Sequence, residues 1–267
     1  MSQDGHLSPK PASISPRIEA LQALPQAVHA HASDYPAGHD IPPHTHRRAQ
    51  LIHAAEGVMT VRTASGAWVV PPGLALWMPG GMQHEVHAVT PLRMRTLYVR
   101  TDAAPWLPTT CRVVTVPPLL RELVLRAVHV PSDYTLDSPA GRLMQVTLDQ
   151  AHDLEEAPLH LPMPRDRRLH GLAETLIADP GDARDLADWS RRAGASERTL
   201  ARLFVAETGL TFGNWRQRLR LLTAMTRLAA GEPVTTVALD LGYASLSAFT
   251  AMFRRRMGAA PTRYLRQ

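Results

Sequence analysis

The chain has little of what secreted and membrane-spanning proteins depend on. Its 267 residues include one cysteine, Cys111, which excludes an internal disulfide and suits a reducing compartment. No apolar run approaches the roughly 20 residues that cross a bilayer, and no basic-then-apolar signal pattern opens the sequence. We therefore expect a cytoplasmic protein with no membrane partner, in which Cys111 is a small buried hydrophobe rather than a redox group.

Lysine is almost absent as well, since Lys10 is the only one and arginine supplies the other cationic side chains. The arginines are unevenly distributed. Residues 165–267 hold 17 Arg against 10 Asp or Glu, a net charge of +7, whereas the rest of the chain has a net charge of −2. Guanidinium groups stay charged and pair with phosphates in bidentate geometry. The C-terminal part therefore has the charge expected of a nucleic-acid-binding unit.

One pattern occurs twice in this basic part. In each copy a short helix ends at a glycine, Gly194 or Gly242, which tolerates the left-handed backbone of a tight turn. A serine, Ser196 or Ser245, then stands at the N-cap position of a second helix. That helix has apolar residues at i and i+4, which would pack inward and leave the opposite face exposed. The pattern predicts two helix-turn-helix units.

A long helix over 212–230 would join the two units, and a helix over 166–177 would precede them. This part of the chain resembles the DNA-binding domain of the AraC/XylS family. The resemblance implies that residues 165–267 form an all-α domain, with helix-turn-helix units at about 184–208 and 234–257, that reads two successive major grooves. The matching residues are Ser196, Leu200, Arg202, Phe204, Glu207, Thr208, Gly209, Gly242, Tyr243, Ser247, Phe249, Phe253, Arg255, Gly258, Pro261 and Tyr264.

The exposed faces of the two second helices are the expected DNA-contacting surfaces. Arg198 and Arg202 are the best candidates for base contacts in the first unit, and Ser247 and Thr250 in the weaker second unit. Ala201 and Ala251 stand at two positions where this family often contacts DNA, so fewer base contacts are expected there. The full set of candidate DNA-binding residues is Ser196, Arg198, Thr199, Ala201, Arg202, Ser245, Ser247, Thr250, Ala251, Arg254 and Arg255.

The N-terminal part has a different sequence pattern, in which short β-type runs alternate with turns rich in Pro and Gly. Such spacing predicts a small β-sandwich or barrel. Residues 1–24 are rich in Ser, Pro and Gln without periodicity, and we expect them to be disordered. The predicted strands lie at 50–53, 57–62, 67–70, 74–78 and 93–99.

Eight of the thirteen histidines lie in this β-rich part. His44 and His46 are two residues apart on an extended segment, which places both imidazoles on one face. The spacings Gly38-x5-His44-x-His46-x3-Gln50-x6-Gly57 and Gly73-x5-Pro79-x-Gly81-x2-His84 match the two motifs of cupins. Residues 25–112 therefore resemble a cupin barrel. The resemblance implies a metal site whose ligands would be His44, His46, Gln50 and His84.

Two departures from the cupin pattern leave the metal open, since Gln50 replaces the usual glutamate and Ala88 the usual asparagine. Three imidazoles suit Zn, Ni, Fe or Cu. Alternatively, the same side chains hydrogen-bond a polar ligand or water with no metal. In both cases the barrel mouth is the expected effector pocket, and Trp77 is a candidate lining residue. The histidines without a motif are interpreted as surface or structural residues, namely His29, His31, His39, His53 and His87.

Two amphipathic helices are predicted over 116–157, the second beginning near Ser138, which can cap it. By analogy with similar proteins we expect them to form a homodimer contact, although they could simply cover the barrel. Prolines within 158–164 predict a stiff linker. The fold class is therefore two-domain α+β, with an N-terminal all-β cupin barrel, two linker or dimer helices and an all-α double helix-turn-helix domain.

These features together predict a sequence-specific transcriptional regulator, either activator or repressor. Its binding to promoter DNA would be modulated by a small-molecule effector, with RNA polymerase as a further partner if it activates. One alternative is a metal-dependent cupin enzyme of dioxygenase or isomerase type with an attached DNA-binding domain, and another is an architectural DNA-binding protein with a vestigial barrel. The iron site of such oxygenases has two histidines and one carboxylate, and Gln50 supplies no carboxylate, which argues against the enzyme alternative. Three-histidine variants of the site exist, however.

Overall fold

The computed structural model describes residues 16–264. A short helix leads into nine strands, and two further helices and two short strands follow. No helix in the described part of the chain is long and apolar enough to cross a bilayer. These elements are α1 (Pro16–Ala23), β1 (Val28–Tyr35), β2 (Asp40–His44), β3 (Ala49–Glu56), β4 (Met59–Thr63), β5 (Gly66–Val70), β6 (Leu74–Met78), β7 (His84–Ala88), β8 (Leu92–Val99), β9 (Arg112–Thr115), α2 (Pro118–Ala127), α3 (Pro139–Asp149), β10 (Glu156–Ala157) and β11 (His160–Pro162).

The strands form two antiparallel sheets, which confirms the prediction of a sheet-rich N-terminal part. One sheet has the order β1-β8-β3-β6-β9-β10 and the other the order β11-β5-β4-β7-β2. Their inner faces share one apolar core, in which Ile52 and Leu76 of the first sheet lie with Val61 and Val86 of the second. Each of the five predicted runs falls within or overlaps a strand, from β3 to β6 and in β8.

Helices α2 and α3 cover the outer face of the six-stranded sheet. Leu120 and Val124 of α2 and Met144 of α3 are buried in a second core together with Leu51 and Leu97 of the sheet. As predicted, Ser138 caps α3, because its hydroxyl accepts a hydrogen bond from the Gly141 amide. These helices therefore cover the sheet, as one of the two interpretations of their role predicted. Homodimer formation remains a prediction.

The prediction of disorder over 1–24 is wrong for residues 16–23, which form α1; residues 1–15 lie outside the described part. Leu21 and Gln22 are buried. The Gln22 amide oxygen accepts from the Arg48 backbone N–H at 3.0 Å. The ordering therefore comes from tertiary contacts made 26 residues along the chain. A local compositional pattern does not contain such contacts.

The prediction of a linker over 158–164 is also wrong for most of that range. Residues 156–162, which we call the strap, are attached to both sheets, because β10 pairs with β9 and β11 pairs with β5. Leu159 and Leu161 are buried, and the His160 ring stacks on Trp68 with centroids 4.5 Å apart. Proline prevents a helix here but is tolerated on an edge strand, and β11 is the edge of its sheet.

The C-terminal part is helical, as predicted. Gly194 and Gly242 adopt the left-handed conformation, with φ of 61° and 73°. Ser196 and Ser245 cap the helices that follow, accepting from the amides three residues ahead at 3.2 Å and 3.1 Å. The helices are α4 (Arg167–Ala178), α5 (Leu186–Ala193), α6 (Glu197–Thr208), α7 (Phe212–Ala229), α8 (Val234–Asp240), α9 (Leu246–Met257) and α10 (Pro261–Tyr264).

Helix α7 connects the two helix-turn-helix units and also contacts the strap. Its buried stripe, which includes Leu219 and Leu222, packs among the helices. On the other side, the Trp215 indole N–H donates to the Pro162 carbonyl at 2.7 Å, and the Arg218 guanidinium donates to the His160 carbonyl at 3.2 Å. The apolar core is continuous from the sheets through the strap into the helical part.

Because the strap is packed and not a free linker, truncating one of its side chains should destabilise the fold. Leu159 is 0 % exposed, and we expect Leu159→Ala to lower the free energy of unfolding by about 2–5 kcal/mol. Leu239 is 65 % exposed, so Leu239→Ala should change it by less than about 0.5 kcal/mol. Denaturant unfolding of both variants measures the difference. Equal, small effects would show that the strap is not part of the cooperative core.

Candidate functional site

Three histidines meet at one end of the N-terminal sheets. His44 ends β2 and lies opposite His84, which begins β7, because a shift in register after Ile41 brings the two residues into line. His46 follows two residues later, and all three side chains are buried. Their potential ligand atoms lie within 4.8 Å of one another. The sequence prediction that these residues share a site therefore agrees with their placement.

Hydrogen bonds orient two of the imidazoles. Nδ1 of His44 lies 2.8 Å from the Pro42 carbonyl, and Nδ1 of His84 lies 3.0 Å from the Met82 carbonyl. A carbonyl only accepts, so both Nδ1 atoms carry the proton and both Nε2 atoms keep a free lone pair. Backbone carbonyls that accept from Nδ1–H hold metal-binding histidines in this same orientation.

The third imidazole is held differently. Nδ1 of His46 lies 3.4 Å from the amide nitrogen of Gln22, whose oxygen is already engaged by the Arg48 N–H. The Gln22 N–H therefore donates to Nδ1, and the His46 proton resides on Nε2. Binding a metal through Nε2 of His46 would require the Gln22 amide to turn over and accept from Nδ1–H.

Burial keeps the cluster neutral. Desolvation, with smaller contributions from the neighbouring His44 and His84, lowers the pKa of His46 to about 3. Desolvation followed by the charge of His44 lowers the pKa of His84 to about 4, and desolvation also lowers the pKa of His44. All three are therefore uncharged near pH 7, which is the form that coordinates a metal or accepts a hydrogen bond.

Gln50 of β3 supplies a fourth polar group. Its Oε1 atom is buried and has no hydrogen-bond partner within the described part of the chain. The Gln50 side chain also forms a hydrogen bond to Tyr98, and burial raises the pKa of that phenol, so Tyr98 stays protonated. A buried acceptor without a donor is costly, and a metal ion or a ligand N–H or O–H would satisfy it. The four donors thus fit a metal by type, with the His46 tautomer as the one adjustment.

The cluster lines a cavity of about 230 Å³. His31 and His39 line it too, so their interpretation as surface or structural residues is incomplete. A signal for His31 was present in the sequence, since His31, Ser33 and Tyr35 alternate along β1 and all three face the cavity. No comparable pattern marks His39, which is held by stacking on Tyr35 at 4.8 Å.

Trp77 does not line this cavity, which corrects its assignment to the effector pocket. Gln50 pairs with Met78 and Leu51 pairs with Trp77. Successive strand residues face opposite ways, so Trp77 and Leu51 point outward into the core beneath α2 and α3. The Trp77 indole N–H donates to the Pro108 carbonyl at 2.6 Å, which fixes it there.

The first helix-turn-helix unit presents two arginines to solvent. Arg198 and Arg202 are exposed and four residues apart on α6, and neither makes an ion pair with another described residue. Arg191 on the preceding helix, by contrast, pairs with Asp188. Ser196 and Thr199 hydroxyls bond each other at 2.8 Å, so these two candidates shape the helix start. Ala201 is half-buried beside them.

The second unit presents mainly small groups. Ser247 and Ala251 of α9 are exposed and Thr250 is half-buried, while Arg254 and Arg255 are exposed at its last turn. Sequence reasoning missed Leu246, which begins α9 and is 42 % exposed. An exposed apolar side chain at the first position of a helix is of the kind that can contact a thymine methyl group in a major groove. Its position directly after the capping serine was the available signal.

Two family models match the chain. Residues 26–178 match an AraC-like ligand binding domain and residues 189–267 match a helix-turn-helix domain. The chain is 36% identical over 224 residues to the HTH-type transcriptional regulator NimR of Escherichia coli (strain K12), covering 84% of this chain and 82% of the relative. It is 35% identical over 103 residues to the HTH-type transcriptional regulator RipA of Corynebacterium glutamicum, covering 39% and 31%. A solved structure of ToxT from Vibrio cholerae aligns over 90% of this chain and 98% of its own, with a TM-score of 0.38 and 9% identity.

The lowered histidine pKa values predict a loss of stability in acid. The pKa of His84 is about 4 in the folded protein and about 6.5 when unfolded, so the unfolded chain binds more protons between these values. The free energy of unfolding of metal-free protein should therefore fall as the pH drops from 7 to 5. In His84→Asn the fall should be smaller by on the order of 1–2 kcal/mol. Urea unfolding with a chelator at both pH values tests this, and an identical fall in both proteins would contradict it.

Proposed function

The chain belongs to the AraC family of DNA-binding transcriptional regulators with a ligand-binding domain, and on that premise we propose how its two parts are connected. Occupancy of the histidine-lined cavity changes the affinity of the two helix-turn-helix units for promoter DNA. An effector does this only by binding one conformation of the protein more tightly than another. We place the protein in the cytoplasm, with the DNA it binds.

One observation carries this proposal: the strap contacts both the sheet and the helix that connects the reading units. Strand β11 pairs with β5, and its carbonyls accept hydrogen bonds from Trp215 and Arg218 of α7. A shift of β5 relative to its neighbours therefore changes the position of α7. Because α7 packs against both units, their spacing on DNA changes with it.

The DNA contacts follow from the exposed residues of α6 and α9. Arg198 and Arg202 contact base edges in one major groove. Ser247 and Thr250 do so in the next groove, about one helical turn or ~34 Å along the duplex. Arg254 and Arg255 contact phosphates, which position the protein without reading sequence. The other candidates, Ser196, Thr199, Ala201, Ser245 and Ala251, shape or border these surfaces.

We further propose that His44, His46 and His84, with Gln50, hold one divalent metal ion, either Zn, Ni or Fe. Its support is the convergence of three neutral imidazoles, together with the Gln50 amide oxygen, which belongs to a residue lining the same cavity and has no donor within the described part of the chain. A bound metal would act as a Lewis acid for a polar group of the effector. The role is regulatory and not catalytic, in keeping with the regulators that the chain resembles.

The working unit is proposed to be a homodimer formed through α2 and α3. Leu119, Leu136 and Val146 lie on or between these helices and are exposed, although their neighbours on the same elements are buried against the sheet. Because α2 and α3 pack against each other, these side chains add apolar area to one exposed face of the protein, which is what a protein contact surface requires. If the protein activates transcription, RNA polymerase is the further partner.

Arg198→Ala tests the assignment of the first reading unit. Loss of a bidentate base contact should weaken binding to the cognate promoter by ~1–3 kcal/mol and relax the preference at one base pair. Fluorescence anisotropy against a panel of single-base variants, with random duplex as reference, measures both effects. Arg93→Ala, which removes an exposed arginine of β8 that pairs with Glu56, is the control and should bind as wild type does. Unchanged affinity and preference in Arg198→Ala would remove this residue from the interface.

The metal proposal is tested by elemental analysis of purified protein. Wild type should carry about one divalent ion per chain and His44→Ala should lose it, because one of three imidazole ligands is missing. His129→Ala removes an exposed histidine outside the cluster and should keep the metal. Equal metal content in wild type and His44→Ala would exclude the proposed ligands.

A further inference from the structure

Three sulfur atoms meet at a place outside the histidine cluster. The Cys111 Sγ atom lies 3.4 Å from Sδ of Met78 and 3.1 Å from Sδ of Met82. Strand pairing alone places the first two together: Trp77 pairs with Arg112 in the β6–β9 ladder, so Met78 and Cys111 are the next facing residues. Met82 comes from the segment between β6 and β7.

The sulfur cluster has no role in the regulatory mechanism proposed above. Burial raises the pKa of the Cys111 thiol to about 12, so the group is protonated near pH 7 and is a poor nucleophile. One S–H donates to one acceptor at a time, so Cys111 cannot donate to both thioethers at once. Cys111 and Met82 are each partly exposed, so a small ion can reach them.

We propose that Cys111, Met78 and Met82 form a binding site for one soft monovalent cation, Cu(I) or Ag(I). Thiolate and thioether are the donors that Cu(I) prefers, whereas imidazole and amide oxygen suit borderline divalent ions. On binding, the S–H bond of Cys111 breaks, an S–Cu bond forms and one proton passes to solvent, with no change of oxidation state. The flexible methionine side chains adjust to the metal–sulfur distance.

The site is separate from the histidine cluster but structurally connected to it. The Met82 carbonyl is the group that accepts from Nδ1 of His84 at 3.0 Å. A cation held by the Met82 sulfur would restrict the segment that orients His84. Binding of a soft cation would therefore act on the same end of the sheets as an effector in the histidine-lined cavity. It does not depend on whether the imidazoles hold a divalent metal.

The test is a competition for Cu(I) between the full-length protein and bathocuproine disulfonate, under reducing and anaerobic conditions. Wild type should withdraw one Cu(I) per chain, with thiolate-to-copper absorption in the ultraviolet and release of one proton. Cys111→Ser and Cys111→Ala should each weaken this binding by at least ~100-fold, and Met82→Leu by about tenfold. Met257→Leu and His44→Ala should bind as wild type does, because neither residue belongs to the sulfur cluster.

Each result decides the proposal. Failure of wild type to compete, or unchanged binding in the two cysteine variants, would overturn it. Loss of Cu(I) in His44→Ala with retention in Cys111→Ser would also overturn it, because the ion would then belong to the imidazoles. Should the cysteine variants not fold, as judged by circular dichroism, Met82→Leu against Met257→Leu makes the same decision. Divalent metal content and promoter binding are measured separately, so they stand or fall independently.

Discussion

The backbone of residues 160–162 is hydrogen-bonded on two sides, to strand β5 of the five-stranded sheet and to helix α7 of the helical part. Its donors from α7 are an indole N–H and a guanidinium, both of which are costly to leave without an acceptor in a part-buried position. Leu159 and Leu161 add apolar contacts on the sheet side. The relative placement of the ligand-binding and DNA-reading parts therefore depends on this short edge strand, and other arrangements must break these contacts together.

The histidine cluster follows a similar logic on a smaller scale. In two of its members Nδ1 is held by the carbonyl two residues earlier, Pro42 for His44 and Met82 for His84. The local chain thus orients each ring before any ligand arrives. Burial then keeps the rings neutral. At these two rings a ligand would meet little ordering cost, which is the usual benefit of preorganisation, whereas a metal on Nε2 of His46 would require the Gln22 amide to turn over.

The sequence predicts a structural feature when the residues that determine it lie close together along the chain. Turn chemistry is local, so Gly194 and Ser196 sufficed to place the first helix-turn-helix, and the spacing of His44, His46 and His84 sufficed to place them in one site. Strand pairing is not local. The direction of the Trp77 side chain depends on its pairing with Leu51, which the sequence does not show. The prolines near Leu159 are interpreted as a linker because strand β5, with which this segment pairs, lies about 90 residues earlier in the chain. Helix α1 is ordered by the same kind of distant contact.

The two helices proposed to contact base edges, α6 and α9, differ in chemistry, and this would give the bound protein a direction along the duplex. Helix α6 presents guanidinium groups, whereas α9 begins with an exposed leucine and continues with hydroxyl and methyl groups. Guanidinium favours guanine edges, and small apolar groups favour thymine methyls. A site recognised by such a pair is not equivalent to its inverse. If α6 and α9 contact DNA as proposed, each bound copy would have two distinct ends along the duplex, and inverting the site would point the ligand-binding part toward the opposite flank.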